Sequence, residues 1–256
     1  MGRVPVPFRL PFTFGIIMHR EYHRWYSPSL NRNMELLVFG HGGARMLAFP
    51  TSMGKFYEWE DRNMTSALGE HLERGWLQMF CVDSVDAESW YARWAHPGGR
   101  AWRNQQYDNY LVYEVMPFIS HKNRTPYLIV AGASFGAYHA MNFGLRHPDI
   151  TNRIIALSGL YDIGKWTDGY VNDTVYYHNP VLYLPREYDP GRLRLLQRLD
   201  IIMALGRDDP NIEHNRWFSG QLWSKGIGNA LREWDGWSHD WPYWHKMIRM
   251  YVGGHD

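Results

Sequence analysis

Five residues near the middle of the chain, Gly132-Ala133-Ser134-Phe135-Gly136, decide how the whole sequence is interpreted. The preceding run Tyr127–Ala131 is short and apolar, which is typical of a strand buried on both faces of a parallel sheet. The following segment Phe135–Arg146 is predicted as a helix that ends before Pro148. Strand, glycine-bounded serine and helix together make a nucleophile elbow, a sharp turn that lifts the hydroxyl above the sheet. We therefore predict Ser134 as a nucleophile.

Strands and helices alternate on both sides of this turn. Apolar runs predict further strands at Glu35–Phe39, Met46–Phe49, Leu77–Val82, Arg153–Leu157, Asp200–Leu205 and Asn229–Trp234. Helices are predicted at Trp59–Arg74, at Tyr107–Val115 with a stop before Pro117, at Asn211–Lys225 and at Asp240–Tyr251. The segments Asp83–Arg103 and Gly164–Arg186 are predicted to be irregular and are rich in aromatic residues. Alternation of this kind implies parallel crossovers, so the predicted fold class is α/β, with a mostly parallel, doubly wound sheet and helices on both faces.

Length and charge set the limits of the prediction. The 256 residues contain no repeat or linker, and we predict one domain over residues 19–256 after an extended tail over 1–18. Val4–Met18 resembles a signal peptide only weakly, because three prolines interrupt it. The formal net charge is +1 without a basic stripe, which disfavours nucleic-acid binding, and no apolar run is long enough to predict a membrane span.

Metal and redox chemistry receive no support from the sequence. Cys81 is the single cysteine, so neither an intrachain disulfide nor a cysteine zinc site is possible. This composition is compatible with a reducing compartment, and we expect a cytoplasmic protein. His19 and His23 are four residues apart but lack further ligands, so we predict no metal. The oligomeric state is not predicted.

A serine nucleophile needs a base and an acid, which the later part of the chain supplies. His239 lies between the last strand and the last helix, where a catalytic histidine is expected, and we predict it as the general base. Asp208 and Asp209 follow the strand Asp200–Leu205, at the edge where open α/β sheets place their ligands. We favour Asp209 as the acid, with Asp208 and Asp162 as alternatives.

Two backbone amides are predicted to bind the developing oxyanion. One is the amide of Phe135, which opens the helix after the nucleophile. The other is predicted near Ser52, in the loop that precedes the first crossover helix. His41-Gly42-Gly43 imitates an oxyanion sequence, but a strand follows it at once, and we predict a hairpin turn there.

Aromatic residues make up 16% of the chain and include 13 tryptophans. Tryptophan clusters often line pockets that keep one wet edge, so Trp90, Trp237 and Trp241 are predicted to line the substrate pocket. Packing in the core would explain these clusters equally well.

With these residues in view, the chain resembles the Putative esterase group of the α/β-hydrolase superfamily, which includes esterase D, enterochelin esterases and mycolyltransferases. The resemblance covers most of the chain from about His19 and rests on four segments, Ser27–Met34, Gly132–Gly136, Gly206–Asp209 and Gly236–Trp244. Two further stretches, Phe49–Asp61 and Phe80–Tyr91, are similar to an uncharacterised bacterial esterase-like subset. One departure is Pro50-Thr51, where the group usually has His-Gly.

The resemblance implies hydrolysis of a small-molecule ester through a Ser–Asp–His triad and an acyl-enzyme, without a cofactor. Two other functions are compatible with the same motifs. One is acyl transfer to an alcohol on the same triad. The other is a binding protein that keeps the fold but has lost catalysis, because fold alone does not determine function.

Overall fold

Residues 18–236 and 239–254 are described by a computed structural model of the chain. The predicted tail over residues 1–18 lies outside these residues apart from Met18, and so does the predicted pocket residue Trp237. No helix in the described ranges combines the length and apolar character that crossing a membrane requires.

A mixed sheet, eight-stranded over the described residues, forms the centre of the molecule, in the order β1-β2-β4-β3-β5-β6-β7-β8. The strands are β1 (Arg20–Ser27), β2 (Arg32–Phe39), β3 (Ala44–Phe49), β4 (Leu77–Val82), β5 (Leu128–Ala133), β6 (Arg153–Leu157), β7 (Asp200–Gly206) and β8 (Asn229–Trp234). β1 and β2 are antiparallel to their neighbours, whereas β4, β3, β5, β6, β7 and β8 run parallel. The carboxyl ends of the parallel strands therefore share one edge, where ligand sites of such sheets form.

The connections between strands are mostly helical. The α-helices are α1 (Glu58–Asp61), α2 (Met64–Ala67), α3 (Gly69–Glu73), α4 (Pro97–Tyr110), α5 (Met116–Lys122), α6 (Phe135–Arg146), α7 (Gly164–Thr167), α8 (Asp173–Tyr177), α9 (Pro180–Tyr183), α10 (Pro190–Leu196), α11 (Ile212–Ser224) and α12 (Trp241–Tyr251). Short 3₁₀ helices cover Asp86–Glu88 and Leu184–Arg186, and a π-helical turn covers Leu111–Val115.

Both faces of the sheet are covered, which confirms the predicted fold class. Every residue of β5 is buried, because alternate side chains point to opposite faces. Val130 packs in the cluster that contains Met141 of α6, and Ile129 packs in the cluster that contains Met247 of α12. The continuous apolar run in the sequence is thus explained by burial on both sides.

At the antiparallel end of the sheet, the sequence analysis misses one strand and one of its predictions is wrong. The strand β1 is not predicted, because it alternates exposed and half-buried side chains and carries charged and aromatic residues. Residues 40–43 do not form a hairpin turn, since β2 and β3 do not pair with each other and β4 lies between them. The segment instead carries the chain past β4, at the edge opposite the carboxyl ends of the parallel strands.

The predicted helix boundaries also need correction. The predicted helix Trp59–Arg74 is divided into α1, α2 and α3, and Asn63 between the first two has a φ of 60°. The predicted stop before Pro117 is wrong, because the π-helical turn shifts the hydrogen-bond register and α5 accommodates Pro117 in its first turn. The predicted irregular segment Asp83–Arg103 contains the start of α4, whose Pro97-Gly98-Gly99 has the composition of a turn.

Candidate active site

Ser134 occupies the sharp turn between β5 and α6. Its φ of 54° and ψ of −119° lie in a region that non-glycine residues rarely adopt. A Cβ on Gly132 would come within 2.1 Å of the Gly136 carbonyl oxygen, and a Cβ on Gly136 within 2.5 Å of the Pro50 oxygen. Both glycines are therefore required by close backbone approach. The Ser134 amide also donates to the Leu157 oxygen at 2.8 Å, which ties the turn to β6.

A chain of hydrogen bonds connects three of the predicted site residues. The Nε2 atom of His239 lies 3.2 Å from the Oγ of Ser134, and its Nδ1 lies 2.8 Å from the Oδ2 of Asp209. The side chain of His239 is 24% exposed, whereas the Asp209 carboxylate is fully buried. With a proton on Nδ1 donated to Asp209, Nε2 is free to accept the proton of the serine hydroxyl.

Asp209 lies directly after β7 and is distinguished from the two alternative acids by its contacts. Its Oδ1 accepts from the Asn211 amide at 2.9 Å, so both carboxylate oxygens have donors. Asp208 is exposed to solvent. The Oδ1 of Asp162 accepts from Gly164 and from the Asn179 side chain, both at 2.8 Å, which directs that carboxylate toward other partners.

The His239 ring is supported from the last helix. Trp244 of α12 packs edge-on against it, with ring centroids 5.5 Å apart. The indole nitrogen of Trp244 donates to the Oγ of Ser158 at 3.1 Å, at the carboxyl end of β6. The indole is thus fixed by the sheet and limits how far the imidazole can turn.

In the turn over residues 51–54 of the loop after β3, only the Ser52 amide lacks an acceptor among the described residues. The Thr51 amide donates to Glu58 at 2.6 Å and the Met53 amide donates to Asp86 at 2.9 Å. The amide of Ser52, between them, has no such partner. Phe135 is the first residue of α6, so its amide has no intrahelical acceptor either. The two predicted oxyanion donors are therefore both available for a ligand.

Tyr91 is a site residue that the motifs did not identify. Its hydroxyl donates to the Oγ of Ser52 at 2.8 Å, and its ring packs edge-on against Phe135 with centroids 5.2 Å apart. It also contacts Trp166 at a centroid distance of 5.9 Å. Burial raises the pKa of the Tyr91 hydroxyl, so the hydroxyl stays protonated and acts as a donor. Tyr91 thereby joins the segments that carry the two amides.

The predicted pocket tryptophans differ in their surroundings. Trp90 is fully buried and packs against Tyr138 and His178, so it is a core residue with no surface for a substrate. Trp241 is half-buried at the start of α12, 5.0 Å from the Trp244 ring. Its part in a pocket stays a prediction.

A cavity of about 520 Å³ opens at the other end of α6. Its lining includes Arg146, Tyr183 and Arg192. Ser134 precedes the first residue of α6, and twelve helical residues correspond to about 18 Å. This cavity is therefore remote from the serine.

The described residues contain no group of three or more histidine, cysteine, aspartate or glutamate side chains placed to hold a metal ion. His19 and His23 both bond the Glu21 carboxylate, at 2.7 and 2.6 Å.

The strand order, the crossovers and the elbow at residue 134 define an α/β-hydrolase fold. The chain belongs to the Putative esterase family, whose model matches residues 79–252. The match includes the elbow, the loop with Asp209 and the segment with His239.

Known proteins that are similar to this chain in sequence or in structure include esterases and a serine hydrolase. An acetyl esterase of Caldicellulosiruptor saccharolyticus is 28% identical over 150 residues, which cover 52% of this chain and 55% of that relative. The chain thus aligns with about half the length of that curated relative. A ferulic acid esterase structure superimposes with a TM-score of 0.74 at 20% identity, over 92% of this chain and 96% of the other. A fluorophosphonate-binding serine hydrolase of Staphylococcus aureus gives a TM-score of 0.70 at 17% identity, over 92% and 97%. At these identities the two structures show the fold alone.

Proposed function

We propose that this protein is a serine carboxylic-ester hydrolase that works through an acyl-enzyme on Ser134. The observation that carries the proposal is the hydrogen-bond chain from Asp209 through His239 to the serine at the elbow. Membership of the Putative esterase family supports the same reaction class.

The first step is acylation of the serine. His239 Nε2 takes the hydroxyl proton while Ser134 Oγ attacks the ester carbonyl carbon, and the carbonyl π electrons move onto its oxygen. Asp209 holds the Nδ1 proton of His239 and stabilises the imidazolium that forms. When the tetrahedral intermediate collapses, the carbon–oxygen bond to the alcohol breaks and His239 returns its proton to the leaving oxygen.

Deacylation repeats these steps with water as the nucleophile. His239 Nε2 removes a proton from the water as its oxygen attacks the acyl carbon. The second tetrahedral intermediate expels Ser134 Oγ, which regains its proton from the imidazolium and leaves the carboxylic acid as the product.

Both intermediates carry a negative charge on the former carbonyl oxygen. We assign the amides of Phe135 and Ser52 as the donors that stabilise it, because each is free of another acceptor and both flank the elbow. Preorganised donors of this kind are worth about 10²–10³ in rate for each one removed.

We propose a small ester with a short acyl group as the substrate. The aligned acetyl esterase supports this choice. The aromatic side chains of Phe135, Tyr91 and Trp166 pack together beside the serine and would restrict a bulky acyl chain.

Hydrolysis of p-nitrophenyl esters from acetate to octanoate tests the proposal. Wild type should release nitrophenol, with kcat/KM falling as the acyl chain lengthens. Ser134→Ala and His239→Gln should each lose at least about 10⁴-fold in kcat, as triad removal does elsewhere. A protein that hydrolyses none of these esters, or a Ser134→Ala variant as active as wild type, would refute it.

A further inference from the structure

Five consecutive residues of the loop that carries the Ser52 amide are each fixed by a polar contact. Each of residues 51–55 has a side-chain contact with the segment 83–91 or with Glu58. The contacts, in loop order, are Thr51 N to Glu58 Oε2 at 2.6 Å, Ser52 Oγ to Tyr91 OH at 2.8 Å, Met53 N to Asp86 Oδ2 at 2.9 Å, Gly54 O to Ser84 Oγ at 2.8 Å and Lys55 Nζ to Asp83 Oδ2 at 3.5 Å. Of these five contacts, only the bond from the Met53 N–H to Asp86 holds the peptide between Ser52 and Met53.

Residues 51–54 form a tight turn that determines where the Ser52 amide points. The Gly54 amide donates to the Thr51 oxygen at 2.9 Å. In a trans peptide the C=O and N–H groups point in opposite directions, so the Ser52 N–H points out of the turn. Met53 has a φ of 55°, whereas Ser52 does not have a positive φ. Positive φ at the third position alone is typical of a type II turn, which normally has glycine there.

A methionine at this position therefore needs support from outside the turn. The central peptide of a type II turn is flipped relative to a type I turn, and the Met53 N–H belongs to that peptide. Asp86 Oδ2 accepts this N–H, which favours the flipped orientation. The Asp86 side chain is fully buried, so little water competes for the bond.

The second oxygen of Asp86 connects the loop to the elbow helix. Oδ1 lies 2.8 Å from Nε2 of His139, a residue of α6 that is 5% exposed. The His139 ring packs edge-on against Phe135, with centroids 5.1 Å apart. One buried carboxylate thus contacts the peptide next to Ser52 and the ring that packs on Phe135.

We propose that Asp86 is a positioning residue that sets the geometry of the oxyanion hole by fixing the turn at Ser52-Met53 and linking it to α6. The proposal rests on the proposed esterase function. It assigns a role to the stretch Phe80–Tyr91, which the triad does not use.

Two substitutions separate the hydrogen bond from the charge. Asp86→Ala removes the acceptor, and we expect kcat to fall about 10²-fold with KM changed less than threefold, because the misplaced donor acts on the transition state. Asp86→Asn keeps an oxygen for the Met53 amide and turns its nitrogen toward Nε2 of His139, so both contacts can persist without the charge. Its kcat should stay within tenfold of wild type.

Asp108→Asn is the matched control. Asp108 is also buried and bonds a histidine that follows α6, with 3.0 Å between its Oδ1 and Nε2 of His147. It lies at the far end of α6 from Ser134. Asp108→Asn should lower the melting temperature as much as Asp86→Asn or more, while its kcat stays within threefold of wild type.

Three readouts distinguish positioning from loss of folding. An aryl trifluoromethyl ketone forms a tetrahedral adduct with a serine, so its inhibition constant should rise in Asp86→Ala in proportion to the loss of kcat/KM. Amide hydrogen exchange over residues 50–56 should become faster in Asp86→Ala. Adding Met53→Gly to Asp86→Ala should restore part of kcat, since glycine adopts the positive φ without support.

Several results would overturn the proposal. These are a folded Asp86→Ala variant with kcat within threefold of wild type, unchanged exchange over residues 50–56, or no recovery with Met53→Gly. The exchange measurement does not depend on turnover. If wild type hydrolyses no ester, the proposed function fails, and the exchange data still report whether Asp86 holds the turn.

Discussion

Replacing Asp209 by asparagine is expected to abolish most activity without unfolding the protein. The two partners of the Asp209 carboxylate determine the orientation of the asparagine side-chain amide. One oxygen accepts the Asn211 amide at 2.9 Å, so the asparagine oxygen stays there and its NH₂ group faces Nδ1 of His239. The imidazole then has its proton on Nε2, where it donates to Ser134 instead of accepting.

The expected loss in kcat is about 10⁴-fold, the size found when an asparagine imposes the wrong histidine tautomer in a serine protease triad. It corresponds to about 5.4 kcal/mol of transition-state free energy at 1.36 kcal/mol for each factor of ten. Initial rates with p-nitrophenyl acetate, measured beside circular dichroism and thermal melting, would provide the test.

The two alternative acids serve as controls for Asp209. Asp208→Asn should keep kcat within threefold, since Asp208 is exposed. Asp162→Asn should lose less than tenfold, because Asp162 bonds Gly164 and Asn179 instead of the histidine. The reasoning is refuted if Asp209→Asn retains a tenth or more of wild-type activity, or if one of the other two carries the large loss.

Three further predictions concern the scaffold. Gly132→Ala should destabilise the protein by more than about 3 kcal/mol, measured by urea unfolding, because its Cβ would lie 2.1 Å from the Gly136 oxygen; a loss under 1 kcal/mol would contradict the elbow geometry. Burial raises the pKa of the Cys81 thiol, so a disulfide reagent at pH 8 should label it only after denaturation, and fast labelling of the native protein would be contrary evidence. Burial and the Arg146 charge lower the pKa of His178 well below 6.5 in the folded protein. Below about pH 6.5 the unfolded state therefore binds more protons at this side chain than the folded state does. The free energy of unfolding should therefore fall as the pH drops from 7 to 5, and His178→Asn should reduce this slope.

The central part of the fold is predictable from sequence because its signals are local. β5 is buried on both faces, so it is a short continuous apolar run, and the glycines around Ser134 mark the sharp turn. The position of His239 between β8 and α12 follows from the order of elements alone.

The parts that sequence analysis mispredicted depend on contacts between distant segments. Among the residues that the structure describes, β1 pairs with β2 alone and lies at the edge of the sheet, so its sequence lacks the buried apolar pattern. β2 and β3 do not pair because β4 lies between them. No residue near the turn at 40–43 indicates this arrangement.

The supporting side chains of the site were also beyond sequence analysis. Tyr91 and Asp86 lie 39 and 33 residues from the loop atoms that they bond, and neither belongs to a recognised catalytic motif. The similarity of Phe49–Asp61 and Phe80–Tyr91 to one esterase-like subset was the available signal. These two stretches supply both sides of the contacts that hold the loop.

Peptide mapping after reaction with a fluorophosphonate tests the central claim most directly. A fluorophosphonate reacts with a serine that a neighbouring base has activated and leaves a stable phosphonyl group on Oγ. Mass spectrometry of the digested protein should find that group on Ser134, and His239→Gln should react far more slowly. Modification of a different residue, or an unmodified Ser134 in protein that still hydrolyses esters, would contradict the account.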